Sequence, residues 1–401
     1  MNALETLRAR GLLQDHTPEL DAWLNGGPRT FYVGFDCTAT SLHAGSLALI
    51  MCMAHLQRAG HSPIVLMGSG TTMIGDPTGK DEMRKMLSPA DIATNKAALQ
   101  AQLERYLDLS DGKGLVVDNG DWLLALNYVD FLRQVGRHVS VNQMLSRTSV
   151  KLRLEKGLSF LEFNYALFQA YDFLHLSREQ DCLYQVGGAD QWGNITAGVD
   201  LIRRVTGAEA HASTIPLVTT ADGKKMGKSA AGAVWLDGAM TSPYDWYQYW
   251  INVDDRDVGR YLRIFSWLPL DEIIRLEALQ GADVRRAKQV LAWEATRLCH
   301  GQEAADRAQA GARAAFGGGG SAAAMPQHTV VLPAEVIGVL VDSKLCTSRS
   351  DARRQIEGGA VRVNGAKVSD LGAALTADML DSEGALVLQR GKKKKLRVVP
   401  T

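Results

Sequence analysis

Short apolar runs alternate with longer amphipathic stretches through the first two-thirds of the chain. Residues 31–35 and 63–67 are nearly continuous apolar segments next to glycine, and they read as strands buried on both faces. Ala44–Arg58 and residues 90–109 instead carry apolar positions at helical spacing. Further strands are expected at Leu115–Asp118, 182–186 and 213–218, with a mostly helical insertion at 128–179 that could supply a dimer face. Strands alternating with helices predict an α/β fold, a parallel sheet with helices on both faces.

The pattern changes after residue 242. Residues 243–316 are helical throughout, rich in aromatics at the start (Tyr244, Trp246, Tyr247, Tyr249, Trp250), and carry no strand signal. Gly317-Gly318-Gly319-Gly320-Ser321, followed by three alanines and Pro326, reads as a flexible linker. Beyond it, Ser348 is placed to cap a helix over Arg349–Glu357 that Gly358 and Gly359 end. Residues 360–364 then alternate as a strand, and Asn364-Gly365 is a hairpin turn signal. The expected domains are 1–235 (catalytic sheet domain with the helical insertion), 236–316 (α-helical), 317–332 (linker) and 333–401 (small α+β domain).

Composition fits a globular protein, with 46% hydrophobic and 22% charged residues, and no apolar run is long enough to span a bilayer. The start of the chain lacks a basic, then apolar, leader, so the expected compartment is the cytoplasm and no membrane partner is expected. The five cysteines are scattered without a C-x-x-C pair, which points to buried small side chains rather than disulfides or zinc. Net charge is zero, but residues 343–401 hold 12 Lys and Arg against 6 Asp and Glu, leaving 32 against 38 elsewhere. A basic end on an acidic body suits one module that meets phosphates and another that handles small molecules.

Two constellations carry the chemistry. Tyr32-Val33-Gly34-Phe35-Asp36 ends a strand, and His43-Ala44-Gly45-Ser46 opens a long helix, an arrangement whose free N–H groups and dipole favour a phosphate. Downstream, Gly223-Lys224-Lys225-Met226-Gly227-Lys228-Ser229 places two lysines three apart on a glycine-bearing loop, able to neutralise charge on a departing pyrophosphate. Gly75-Asp76-Pro77-Thr78-Gly79-Lys80-Asp81 fails as a Walker A loop, because its glycines are four apart and Asp81 stands where Ser or Thr should bind magnesium. The dinucleotide fingerprint is also absent, since Met73 replaces its third glycine.

These strings resemble the His-x-Gly-His and Lys-Met-Ser-Lys-Ser signatures of class I aminoacyl-tRNA synthetases, with Ser46 in place of a histidine and Gly227 where serine is commoner. Tyr165, Gln169 and Asp172 fall at i, i+4 and i+7 of one helix face. Together with Tyr32 they resemble the amino-acid pocket of bacterial tyrosyl-tRNA synthetases, and Gly187-Gly188-Ala189-Asp190-Gln191-Trp192-Gly193-Asn194 matches a family segment at every defined position. The resemblance implies a Rossmann-like catalytic domain that forms tyrosyl-adenylate from tyrosine and ATP, then charges tRNA(Tyr). It implies that Tyr32 and Asp172 bond the substrate phenol, that Tyr165, Gln169 and Asp76 hold its ammonium, and that Asp36 and Gln191 belong to the same pocket. Thr38, His43, Gly45, Ser46, Gly188 and Asp190 are implied for ATP, the last two at its ribose, where Val33 lacks a side-chain bond that some relatives supply. Lys80, Arg84, Lys225, Lys228 and Ser229 are implied for the leaving pyrophosphate. Magnesium accompanies ATP as part of the substrate, and no permanently bound cofactor or protein-held metal is implied. The basic end resembles a small RNA-binding domain, which assigns Arg349, Arg353, Arg354 and Arg362 to RNA, while the family resemblance implies a homodimer. Two other readings remain open on the sequence: a tryptophanyl-tRNA synthetase, and a synthetase-derived RNA-binding protein without catalysis.

Overall fold

The computed structural model describes residues 1–77, 86–146, 150–151, 154–155, 157–229, 232–316, 325, 327–381, 383–391 and 394–401, with backbone only at Lys228, Ser229, Ala315 and Phe316. Lys80, Arg84 and residues 317–324 and 326 of the expected linker lie outside the described residues, while Gln327–Val330, also expected as linker, forms a strand paired in parallel with Lys394–Pro400.

Five parallel strands form the central sheet: β1 (Thr30–Asp36), β2 (Ser62–Gly68), β3 (Leu115–Asp118), β4 (Tyr184–Gly188) and β5 (His211–Ile215), in the order β3-β2-β1-β4-β5. β1 and β2 run in register from Thr30↔Ser62 to Asp36↔Gly68, and Tyr32 pairs with Gln185 of β4. Helices cover both faces, so β2 and β5 are buried almost without interruption, which is why β2 reads as a continuous apolar run rather than an alternation. Successive strands step outward in one direction from β1 to β3 and in the other from β4 to β5. This reversal opens a crevice beyond the carboxyl ends of β1 and β4.

Two helices matter for what sits there. Ala44–Arg58 buries a nearly unbroken stretch from Leu47 to Leu56, and His43 caps its first turn. Phe160–Glu179 opens with a capping box between Ser159 and Glu162 and packs against Trp192–Thr206, where Phe173 lies against Gly198. The helix expected over 90–109 is Pro89–Leu103; beyond Glu104 the chain turns, and the Asp108 carboxylate is occupied by Ser110 and Lys113. A strip at residues 14–17, unforeseen from sequence, runs antiparallel along the outer side of β5 through Gln14 N–H to Thr214 (2.7 Å), Thr214 N–H to Asp15 (2.8 Å) and Thr17 N–H to Ala212 (2.9 Å).

The chain forms two compact units: residues 1–241 with 253–287, and residues 242–252 with 288–401. The segment expected as one helical domain is thus shared between them. In the second unit Pro243–Ile251 packs on Gln302–Phe316, and the Trp246 indole donates to the Ala295 carbonyl (3.1 Å). Its C-terminal part holds the helices Val336–Asp342 and Arg349–Glu357 with a five-stranded sheet, closed over an aliphatic core that includes Ile337, Leu340, Ile356, Leu386 and Leu388. Asn364 and Gly365 both have positive φ (47° and 86°), the conformation that a tight hairpin turn requires. All five cysteines are buried and unbridged, and no helix among the described residues is long and apolar enough to cross a membrane.

Candidate active site

The crevice at the carboxyl ends of β1 and β4 is a cavity of about 880 Å³. Fourteen of the expected site residues line it: Tyr32, Asp36, Thr38, His43, Gly45, Ser46, Asp76, Tyr165, Gln169, Asp172, Gly188, Asp190, Gln191 and Lys225. Lys228 and Ser229 form a two-residue strand paired with Gly232–Ala233.

One end is built to meet a hydroxyl. Tyr32 is buried against Phe173, with ring centroids 5.2 Å apart, and its own hydroxyl has no hydrogen-bond partner among the described residues. Burial pushes the Tyr32 phenol well up, and the nearby Asp172 adds to this. Asp172, 2% exposed, accepts the Asn119 amide N–H (2.9 Å) and the Trp122 indole N–H (2.8 Å). Burial raises its carboxyl to about 7, against the pull of those two donors. Asn119, Trp122 and the cavity residue Gln185 carry no signal in the sequence; Asn119 sits in a turn-like Asp-Asn-Gly string, which reads only as a loop.

Next to it, carboxylates converge. Asp36 accepts the Thr71 hydroxyl (2.8 Å) and the Tyr165 hydroxyl (3.2 Å), while Gln191 donates to Asp76 (2.8 Å) and is itself held by Asn194 (3.1 Å). Asn119 also donates to Thr71 (3.0 Å), so one hydrogen-bonded chain runs from Asp172 through Asn119 and Thr71 to Asp36 and Tyr165. Asp36, Asp76 and Asp172 around one small volume favour a cation there.

The far end is a turn region. The His43 ring accepts the Ser46 N–H (3.3 Å), capping the helix, while the Ser46 hydroxyl lies 3.5 Å from the same ring nitrogen. Gly227, at φ 89°, passes so close that an added Cβ would sit 3.1 Å from both the Gly45 nitrogen and the His43 ring. Val234 N–H donates to the Gly227 carbonyl (2.9 Å) and Ala44 N–H to the Val234 carbonyl (2.8 Å), which fastens the lysine strand to the helix start. Lys225 is exposed and lines the cavity. The Asp190 carboxyl is raised by burial, with Lys225 acting against that shift and Asp76 adding to it. A Cβ on Gly188 would lie 2.7 Å from an Asp190 oxygen, so a side chain there would displace that carboxylate.

The four arginines assigned to RNA lie on the surface of the C-terminal part. Arg349 pairs with Glu335 (2.6 Å), Arg354 lies 3.5 Å from Asp351, Arg362 donates to the Gly365 carbonyl (2.9 Å), and Arg353 is exposed.

Residues 24–317 match the family of tRNA synthetases class I (W and Y), and residues 320–398 match the Tyrosine--tRNA ligase SYY-like C-terminal domain. The chain is 50% identical over 399 residues to a tyrosine--tRNA ligase of Clostridium beijerinckii, covering 98% of each, and 46% identical to one of Caldanaerobacter subterraneus, covering 100% of this chain and 99% of that one. A C-terminally truncated mitochondrial tyrosyl-tRNA synthetase from Aspergillus nidulans superposes with a TM-score of 0.70 at 30% identity, over 79% of this chain and 94% of that one. A pocket built around a buried aromatic hydroxyl, a lysine strand fastened to a histidine-capped helix, and full-length likeness to these enzymes place the chain in the tyrosine--tRNA ligase family of class I tRNA synthetases.

Proposed function

We propose that tyrosine binds with its phenol between Tyr32 and Asp172, while its ammonium group lies among Asp76, Tyr165 and Gln169, with Asp36 and Gln191 behind them. The observation that carries this reading is that Tyr32, Gln169 and Gln185 line the cavity, yet the Tyr32 hydroxyl and the Gln169 and Gln185 side-chain carbonyls are buried without a partner among the described residues. Buried polar atoms of this kind are costly unless a ligand completes them. A phenol satisfies such a site; a phenyl ring leaves it unpaired, and tyrosyl-tRNA synthetases themselves are the reference case for that effect.

ATP is the family's second substrate. Its ribose lies by Gly188 and Asp190, and its phosphates by Thr38, His43, Gly45 and Ser46 and under Lys225, Lys228 and Ser229, with Lys80 and Arg84 reaching the pyrophosphate. Magnesium enters with the triphosphate. A tyrosine carboxylate oxygen attacks the α-phosphorus in line, the bond to the bridging oxygen of the β-phosphate breaks, and pyrophosphate leaves against the lysines. The terminal ribose hydroxyl of tRNA(Tyr) then attacks the acyl carbon, the ester forms, and AMP departs. Arg349, Arg353, Arg354 and Arg362 meet the tRNA backbone from the basic C-terminal domain.

The enzyme acts in the cytoplasm as a homodimer. Leu124, Tyr128, Val129, Leu132, Val141 and Phe160 support the dimer: each is between 41% and 69% exposed, and all fall in the helical insertion or at its edges. Exchange of labelled pyrophosphate into ATP tests the activation step. Tyrosine supports the exchange, tryptophan and phenylalanine do not, and Asp172→Ala and Lys228→Ala lose most of it; equal exchange with phenylalanine would defeat the assignment of the pocket.

A further inference from the structure

Lys225 lies on one arm of a hairpin over residues 218–226. Met226 N–H donates to Val218 (2.8 Å), Thr220 N–H to Lys224 (2.8 Å) and Gly223 N–H to Thr220 (2.8 Å), and Thr219 pairs with Lys225. The hairpin rests on the start of the helix Val258–Phe265. One Asp257 oxygen accepts the Ala221 N–H at the hairpin's tip (2.8 Å), and the other accepts Arg260 (2.6 Å). Arg260 also donates to the Thr219 carbonyl, and the Tyr261 hydroxyl donates to that same oxygen (2.9 Å).

Asp257 ends the turn Asp255–Asp257, which Asp254 caps, and leads into the helix with αR backbone, so its side chain caps none of the helix amides. Its carboxylate, on a residue 3% exposed, accepts the hairpin's Ala221 N–H and Arg260 instead. At its other end the lysine arm is fixed by Gly227 to the His43 turn. Lys225 therefore sits between two anchors, and their separation sets where its ammonium can reach.

We propose that Asp257, seconded by Tyr261, is a positioning residue for ATP activation: it anchors the hairpin that presents Lys225 to the triphosphate end of the cavity. This rests on the assignment of Lys225 to the phosphates made above. Neither residue lines the cavity, so neither is expected to touch substrate.

The test is single-turnover formation of tyrosyl-adenylate by Asp257→Ala, Asp257→Asn, Tyr261→Phe and Lys225→Ala, with tyrosine affinity followed by intrinsic fluorescence. Asp257→Ala and Tyr261→Phe are expected to slow the step about 10- to 100-fold and raise the KM for ATP, with the tyrosine Kd changed by less than about twofold. Asp257→Asn recovers part of the rate, because its amide oxygen still accepts the Ala221 N–H. If Asp257→Ala fails to fold, Tyr261→Phe, which removes a single hydroxyl, decides the matter. Wild-type rates in the anchor variants beside a slow Lys225→Ala overturn the proposal alone, as does a loss of tyrosine affinity parallel to the loss of rate. A wild-type rate in Lys225→Ala overturns the assignment of the lysine on which it rests.

Discussion

Asp172 is set between its two protonation states near neutrality, at about 7 instead of the ordinary 3.8, chiefly because it is buried. A phenol hydroxyl is best received by the ionised form, so binding tyrosine below this value must expel a proton. The tyrosine Kd should therefore rise by about tenfold per pH unit as pH falls below 7, and Asp172→Asn should flatten that slope while weakening binding overall. Isothermal titration at pH 6 and 8 reads both, and a pH-independent Kd in the parent enzyme counts against the assignment. For stability the sign runs the other way: the folded state holds a proton that the unfolded chain releases between about 7 and 3.8, so Asp172 alone makes the fold firmer as pH falls through that window. His55 opposes it. Burial, with Arg10 and Arg58 adding, lowers it to about 4 from 6.5, so its contribution is present above 6.5 and is lost as pH falls toward 4. Helical spacing with Tyr165 and Gln169 made Asp172 legible in the sequence. Its donors were not: Asn119 and Trp122 come from the turn after β3, 53 and 50 residues away, and no periodicity links a turn to a distant helix face.

Among the elements, the lysine strand shows where a family pattern and local geometry part. Serine is the commoner residue at Gly227, yet here φ is 89° and the backbone touches His43 and Gly45. Gly227→Ser should cost about 1–2 kcal/mol from the left-handed conformation alone and should slow adenylate formation by displacing the neighbouring lysines. A melting curve beside a pyrophosphate-exchange assay checks both, and unchanged values would mean that the turn relaxes freely. β1, β2 and β3 were legible because each holds an apolar run bordered by glycine or a turn, and Ala44–Arg58 and Leu115–Asp118 fall where their patterns put them. β4 and β5 are each displaced by about two residues, since apolar runs continue past the hydrogen-bonded ladder in opposite directions. The strip over β5 and the clamp at Asp257 were illegible for a shared reason: both join segments far apart in the chain through main-chain atoms, which side-chain patterns do not encode.

For the whole molecule, two surfaces can be tested apart from the cavity. Phe160, 69% exposed in the monomer, is proposed to lie in the dimer face, so Phe160→Asp should shift sedimentation from dimer to monomer; an unchanged dimer would place the interface elsewhere. Arg353→Ala combined with Arg354→Ala should leave tyrosine-dependent pyrophosphate exchange intact while weakening tRNA charging, with a shallower salt dependence. Charging at the parental rate would remove these arginines from the RNA surface. The buried thiols bear on such measurements. Cys37, Cys52 and Cys182 belong to the first unit, Cys299 and Cys346 to the second, and burial holds the first three at about 12, far from the reactive thiolate. A maleimide should therefore leave the native protein unlabelled, so that a cysteine introduced at a chosen surface position can carry a dye without background, and any uptake by the native five becomes a clock for the opening of either unit.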